Sequence, residues 1–363
     1  MKKSLIALAV AGTFAAPAAF AATANVDIYG VIKMSYDYVD TDSSRAGEDD
    51  NLSRISSNSS RIGFKGSEDL GGGLKAIWQW ESQIAADANA AGITNRNTFI
   101  GLNGGFGTVL AGTHDTPYKL STGRLDVFVD TMGDYNTIIG SGGGANVLDL
   151  RTSNTIAYIS PNMSGFSVAA AYVFANEAGN DGAKNSKAYS LSGSYSNGPL
   201  FATLAYEDHK NMSPGTGITA ADRDGFKAGV GYSFGDTKLG LVYETIDSDN
   251  KAEERSAWLV NVAHAMGPIT LKASYGRAGN SDAPGGSDGA TNYVLGADYA
   301  MSKRTKVYAL YAKTDNKSVG RYAIGGAGAG GIYRPGTFPL TGSTDGAAGN
   351  DPSVFSIGME HSF

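Results

Sequence analysis

Histidine is the usual side chain for acid–base chemistry near neutral pH, and this chain has four: His114, His209, His264 and His361. A hydrolase needs a nucleophile, a base and an orienting acid within reach of one another. None of the four histidines accompanies a G-x-S-x-G elbow or a similar motif. The residue types therefore favour a protein that is not an enzyme, and a lipase or protease remains the alternative.

Metal and phosphate chemistry also lack their usual residues. The chain has no cysteine, which excludes disulfides and thiolate metal sites. The glycine-rich run GGAGAGG at 325–331 is not followed by Lys-Ser/Thr and a helix, so it does not match a phosphate-binding loop. We expect no cofactor and no metal.

One stretch, Thr116–Leu150, carries acidic residues but no regular period for more than a few residues. A segment of this length without its own element is uncommon in a compact domain and usually means function or disorder. In the sequence on either side of it, apolar and polar residues alternate as they do in β-strands. We expect it to fold into a barrel and narrow a pore.

The flanking elements are strands by their period of two. From Val26 to Tyr38, apolar residues and glycine share one face, while the other face includes Asp27, Lys33, Ser35 and Asp37. The segments at 189–195 and 226–234 alternate in the same way, with small or polar residues opposite the apolar face. A soluble β-sandwich would show the same alternation.

The lengths of the connections favour a barrel over a sandwich. Seven short connections are predicted at 67–73, 103–107, 160–165, 196–199, 235–236, 267–268 and 302–304. They interleave with eight long ones at 39–54, 85–95, 116–150, 175–186, 208–223, 247–255, 278–290 and 314–352. This pattern predicts an all-β, transmembrane antiparallel barrel of about 16 strands, wide enough for a channel, in which 116–150 is the third long connection.

The N-terminus predicts export. Residues 1–21 place two lysines before an apolar run and end on Ala19-Phe20-Ala21, as a signal peptide does. Cleavage is expected after Ala21 or after Ala24, leaving 22–363 as a single β-barrel domain, because the apolar run is too short for a membrane-spanning helix. Loss of the two lysines makes the formal net charge more negative than the −6 of the whole chain, which argues against a nucleic-acid partner.

The C-terminus supports an outer-membrane location. One face of the last predicted strand carries Phe355, Ile357, Met359, His361 and the terminal Phe363. An alternating strand that ends on a terminal Phe looks like the signal read by the barrel-assembly machinery. We therefore interpret these five residues as an assembly signal.

Four sequence blocks resemble the general porins of Gram-negative bacteria, most closely the β-proteobacterial branch. They are SRIGFKGSEDLGGGLKAIWQWES from Ser60, RNTFIGLNGGFGTVLAGTHDTPYK from Arg96, RTSNTIAYISPNMSGF from Arg151, and the final SIGMEHSF. The resemblance implies a homotrimeric, sixteen-stranded barrel in the outer membrane that passes small hydrophilic solutes passively.

The resemblance also implies that the third external loop, here 116–150, is folded inward and places Asp126, Asp130 and Asp134 opposite basic residues on the barrel wall. Matching motif positions are Arg61, Arg96 and Arg151, with Lys33 on the polar face of the first strand as a fourth candidate. Arg61 and Arg151 are expected in the middle of their strands. The chain lacks the Pro-Glu-Phe-Gly signature of the enteric branch, so which carboxylate faces which arginine stays open, as does the choice between cations and anions.

An adhesin or receptor is the second alternative. The first long connection carries Asp40, Asp42, Glu48, Asp49 and Asp50, which could bind divalent cations shared with lipopolysaccharide. Such acidic runs are more often simply solvated.

Overall fold

The computed structural model describes residues 25–40, 42, 51–87, 94–142, 145–174, 186–214, 219–325 and 348–363. Within these ranges the first half of the chain forms β1 (Asn25–Asp40), β2 (Asn51–Ser57), β3 (Arg61–Gly71), β4 (Leu74–Gln83), β5 (Thr94–Asn95), β6 (Thr98–Gly104), β7 (Gly107–Asp115), β8 (Ser141–Gly142), β9 (Ala145–Asn146), β10 (Arg151–Ile159) and β11 (Phe166–Val173). The second half forms β12 (Lys187–Asn197), β13 (Leu200–Met212), β14 (Ala221–Phe234), β15 (Thr237–Ser248), β16 (Arg255–Met266), β17 (Ile269–Ala278), β18 (Ala290–Ala300), β19 (Thr305–Asn316) and β20 (Ser353–Ser362). Between β7 and β8 lie helix α1 (Pro117–Thr122) and the 3₁₀ turns Gly123–Leu125 and Tyr135–Thr137.

These strands occupy sixteen positions in one closed antiparallel wall. β2 and β3 both pair with β1 and form two parts of one wall strand, as do β5 and β6, which both pair with β4. β8 and β9 pair only with each other and lie outside the wall. The last strand, β20, pairs with β19 on one side and with β1 on the other. The predicted sixteen-stranded barrel is confirmed.

Burial along the wall is the reverse of that in a soluble protein. Ile100 and Leu295 are 67% and 62% exposed, whereas Lys227 and Glu244 are fully buried. In β1 the predicted polar face is the buried one, with Lys33 at 3% and Asp37 at 0% exposure, while Tyr36 and Tyr38 are exposed. An apolar outer surface and a polar interior are what a barrel in lipid requires.

Short and long connections alternate as predicted, but some strands are longer than expected. β3 continues to Gly71, so the first short connection is only 72–73, and β13 continues to Met212, so the predicted loop 208–223 shrinks to 213–220. The sequence predicts that polar residues such as Asp208 lie in a loop. They continue the ladder instead, with Asp208 opposite Asp224, because strand pairing needs no apolar side chains beyond the lipid-facing band.

Some predicted features lie outside the described ranges. They are the signal peptide at 1–21, Glu48, Asp49 and Asp50 of the first connection, and 326–331 of the glycine-rich run. Among the residues that the structure does describe, no helix is long and apolar enough to span a bilayer.

Candidate functional site

A cavity of about 350 Å³ lies between the segment 116–150 and one side of the barrel wall. The wall contributes residues from β4, β7, β10 and the junctions beside β3 and β6. Its charged lining residues have both signs: Arg96, Asp115, Lys119, Arg124, Asp126, Asp130, Asp134 and Arg151. We call this cavity the gap. A water-accessible space with both charges at its border can distinguish solutes by charge.

Local hydrogen bonds give the irregular segment its shape. The Thr116 hydroxyl caps α1 by accepting from the Lys119 backbone N–H at 3.3 Å, and Pro117 follows in the first helical turn, where it removes no helical hydrogen bond. Asp126 accepts from the backbone N–H groups of Phe128 and Tyr135 at 2.8 and 3.2 Å. Asp134 accepts from the N–H groups of Asp130 and Asn136, each at 2.9 Å.

The other side of the segment packs against the buried face of the wall. Three apolar clusters join it to strands β13–β20: Phe128 and Met132 with Val294 and Leu310, Ile138 and Ile139 with Val242 and Leu259, and Leu148 with Ile246. The small or polar inner face predicted at 189–195 and 226–234 does not extend to these wall positions, because the segment needs an apolar surface on which to pack.

Glycines in β14 make room for this packing. A Cβ atom on Gly225 would come within 2.3 Å of a Leu148 methyl carbon, and one on Gly229 would come within 2.7 Å of a Leu125 methyl carbon. Both distances are shorter than real contacts allow. The inner face of β14 is therefore shaped to hold the segment.

Buried polar groups also fasten the segment to the wall. Tyr118 donates its hydroxyl proton to Glu244 at 2.8 Å, and the Gly140 N–H donates to the other oxygen of the same carboxylate, also at 2.8 Å. Arg255 binds Glu244 at 2.8 Å and donates to the carbonyl groups of Ile138 and Ser141 at 2.8 and 2.6 Å. Glu244 and Arg255 thus bind each other and the segment together.

The part of the segment at Phe128 and Val129, which we call its tip, lies over a row of alternating charges on the inner face of the wall. Lys33 donates to the Val129 carbonyl at 2.8 Å and pairs with Glu360 at 3.1 Å. From Glu360 the chain of ion pairs continues through three further side chains: Lys306, Asp298 and Lys272. The Lys272 ammonium group lies 4.7 Å from the centre of the Phe128 ring. Lys33, expected to border the gap, instead lies under the tip and does not line the gap.

Two of the three predicted arginines, Arg96 and Arg151, line the gap and pair with wall carboxylates. Arg96 binds Glu81 at 2.6 Å, and Arg151 binds Asp115 at 3.2 Å. Arg61 is the one that reaches the segment, with its Nη1 atom 3.2 Å from Asp130 Oδ2. Arg61 begins β3, beside the interruption of the second wall strand. Arg151 is the first residue of β10, so its predicted mid-strand position is wrong.

Sequence reasoning missed four charged residues of this region. Lys119 and Arg124 belong to the segment itself, and Glu81 and Asp115 belong to the wall. Lys119 binds Asp115 at 3.3 Å, which places two cations on that one carboxylate. Lys119 and Arg124 could have been identified from the sequence, because they lie in the same irregular stretch as the three aspartates.

Two carboxylates of the segment, Asp126 and Asp134, hold protons more tightly than usual. Burial raises the pKa of Asp134 to about 6, and the carboxylate of Asp130 adds to the rise. Burial also raises the pKa of Asp126 well above its usual range, with Asp134 as the second cause. The negative charge in the gap therefore depends on pH near neutrality.

The part of the chain that the structure describes holds no group of three or more acidic or histidine side chains placed to bind a metal ion. The charges that border the gap come from arginine, lysine and aspartate side chains.

Comparisons with known proteins agree with this architecture. A family model described as Gram-negative porin matches residues 6–319. Outer membrane porin protein 32 of Delftia acidovorans is 32% identical over the full length of both chains. Major outer membrane protein P.IB of Neisseria meningitidis serogroup B is 34% identical, over 84% of this chain and 91% of the relative.

Solved structures show the same fold. The anion-selective porin from Comamonas acidovorans superposes with a TM-score of 0.76 at 25% identity, covering 94% of this chain and all of the other. OmpT of Vibrio cholerae, solved in a trimer form, superposes with a TM-score of 0.67 at 18% identity and shows the fold alone, with 94% and 99% of the two chains covered. With its closed wall, its apolar exterior and these matches, the chain belongs to the Gram-negative porin family of outer-membrane channels.

Proposed function

We propose that the segment 116–150 narrows the channel of this porin and that the charges around the gap select among small hydrophilic solutes. The observation that carries the proposal is the two-sided placement of the segment. Its apolar side packs on β13–β20, and its charged side faces Arg96 and Arg151 across the gap.

The physical basis is the electric field in a narrow, water-filled space. Low-dielectric walls focus the field of charged side chains, and rings of charge tune ion preference. A polar solute exchanges its water for these charged groups, whereas an apolar solute loses ordered water without compensation. Passage therefore favours hydrophilic molecules and requires no catalysis, so we propose a channel that is not an enzyme.

We further propose that the channel prefers anions. The charged groups bordering the gap, counting Arg61 and Glu81 behind it, are five cations and five carboxylates, and burial raises the pKa of both Asp126 and Asp134. Protonation of either carboxylate shifts the balance of charge in the gap toward positive. The Comamonas acidovorans porin, similar over most of this chain, is described as anion-selective.

The expected assembly is a homotrimer in outer-membrane lipid with lipopolysaccharide in the outer leaflet. The exposed apolar outer face of the wall is consistent with lipid contact. Phe355, Ile357, Met359 and His361 are exposed on the closing strand β20, and the exposed Phe363 follows it directly. We propose that the barrel-assembly machinery recognises this face.

Steric block of the gap tests the proposal, and the absence of native cysteine makes the experiment specific. Val129 borders the gap and is 50% exposed. We expect a bulky thiol reagent to lower the single-channel conductance of Val129→Cys in planar bilayers.

The matched control is Val260→Cys, because Val260 is 44% exposed on the outer face of β16. The same reagent should leave the conductance of that variant unchanged. Equal conductance of Val129→Cys before and after complete modification would contradict a narrowing by this segment.

A further inference from the structure

The cations of the gap differ in how they are neutralised. Arg96, Arg151, Lys119 and Arg61 each lie within 3.3 Å of a carboxylate oxygen. Arg124 has no carboxylate within ion-pair distance among the residues that the structure describes. It is also more exposed than these four, which are all partly covered.

An aromatic ring holds Arg124 in place without removing its charge. The guanidinium carbon lies 4.2 Å from the centre of the Phe201 ring, on the inner face of β13. Stacking uses the flat face of the guanidinium group, so the N–H groups at its edge remain available as donors. Such a group can bind a passing anion through charge-assisted hydrogen bonds.

The backbone fixes the position from which Arg124 acts. It is the middle residue of the 3₁₀ turn Gly123–Leu125, and the next side chain, Leu125, is buried against the wall. The Leu125 carbonyl also accepts a hydrogen bond from Asn261 at 2.5 Å. The turn thus anchors one side chain in the wall and presents the neighbouring one to the gap.

We propose that Arg124 is the main determinant of anion preference in this channel and offers its guanidinium edge to small inorganic anions and carboxylates. The inference rests on the proposed narrowing by the segment. It differs from the sequence-based expectation, in which the wall arginines supply the field, because those arginines are paired with Glu81, Asp115 and Asp130.

Charge can be exchanged at this position within one inserted channel. In Arg124→Cys, a negatively charged methanethiosulfonate reagent should lower the anion-to-cation permeability ratio, and a positively charged one should raise it. Each unit of charge about 5 Å from the ion path should change the permeability of each ion roughly fourfold, in opposite directions for anions and cations. The measurement is the reversal potential in a salt gradient before and after each reagent.

The matched control is the double variant Arg96→Gln/Glu81→Gln, because it removes a cation of the same gap together with its paired carboxylate and leaves the net charge unchanged. Its reversal potential should stay close to that of the wild type, and a loss of anion preference equal to that in Arg124→Gln would overturn the inference. If Arg124→Cys does not assemble, Arg124→Gln and Arg124→Lys replace it: the first should reduce anion preference and the second should keep it. An unchanged reversal potential in Arg124→Gln would also overturn the inference.

The two proposals fail in different ways. If conductance falls equally with both reagents and selectivity does not follow their sign, the segment narrows the channel but Arg124 does not set its preference. If neither reagent acts and the block at Val129→Cys also fails, the narrowing itself is wrong.

Discussion

Asp126 and Asp134 border the gap, but their carboxylates mainly stabilise the conformation of the segment. We call these two residues its braces. Each accepts two backbone hydrogen bonds, and neither has an ion pair among the residues described. Asp130, with a positive φ of 55°, is the carboxylate turned toward the wall, where it meets Arg61. The three aspartates that the sequence grouped together therefore divide into two braces and one partner for the wall.

We expect Asp126 and Asp134 to make the channel sensitive to pH. The folded-state pKa of Asp134, about 6, lies above its ordinary value of 3.8, so the folded segment binds this proton more tightly than the unfolded chain does. As pH falls through about 6, the gap loses negative charge and anion preference should rise. By the same linkage, this group's contribution to stability is fully present below its ordinary pKa and is lost as pH rises through about 6.

Reversal potentials measured between about pH 8 and about pH 5 check this prediction. Asp134→Asn should flatten the response around pH 6. Asp236→Asn, at an exposed carboxylate in the turn between β14 and β15, should retain it. A wild-type response unchanged in Asp134→Asn would exclude Asp134 as its source.

At the scale of elements, the segment is a small core built inside a barrel. Its apolar residues cover strands β13–β20, and its polar anchors are buried where water cannot replace them. Glu244 is central to this arrangement, because its two oxygens bind Tyr118, Gly140 and Arg255. Removing one partner of a buried ion pair leaves the other charge without compensation.

We expect Glu244→Gln to loosen the segment and to cost about 3–5 kcal/mol of its packing free energy, the usual cost of breaking a buried pair. The channel should then show larger and noisier single-channel conductance. The matched control is Glu254→Gln, which removes a pair with the largely exposed Lys251. Surface pairs contribute about 0–1 kcal/mol, so the control should conduct like the wild type.

At the scale of the whole molecule, the pairing of β1 with β20 closes the wall. We call this pairing the seam. The backbone groups of Gly30 and Phe363 exchange two hydrogen bonds, at 3.0 and 3.1 Å, where β1 meets the end of the chain. A Cβ atom on Gly30 would lie 2.3 Å from the Phe363 ring and 2.7 Å from the Arg61 carbonyl oxygen. Gly30 is therefore needed for the terminal phenylalanine to lie across the seam.

Gly30→Ala should hinder closure, because the backbone of β3 must shift, with an overpacking cost of about 1–3 kcal/mol. The measurement is the yield of heat-sensitive oligomer on gels run before and after heating. Gly193→Ala is the control, since its added Cβ would meet nothing within 4 Å. Normal yield from Gly30→Ala would show that the seam tolerates a side chain.

The sequence by itself determined the strands of the wall and which of their faces points toward lipid. Alternation with a period of two is local, so the buried side chains Lys33, Ser35 and Asp37 of β1 and the exposed face of β20 could be predicted. The alternation of short and long connections supplied the strand count, and irregularity identified the segment 116–150.

Only the tertiary structure decided what each charge does. The pair Arg61–Asp130 joins residues 69 positions apart, and Tyr118–Glu244 joins residues 126 apart. No local period encodes such contacts, because they depend on which side of the closed barrel the segment packs against. That packing paired the wall arginines with nearby carboxylates, placed Lys33 under the tip, and left Arg124 as the exposed cation of the gap.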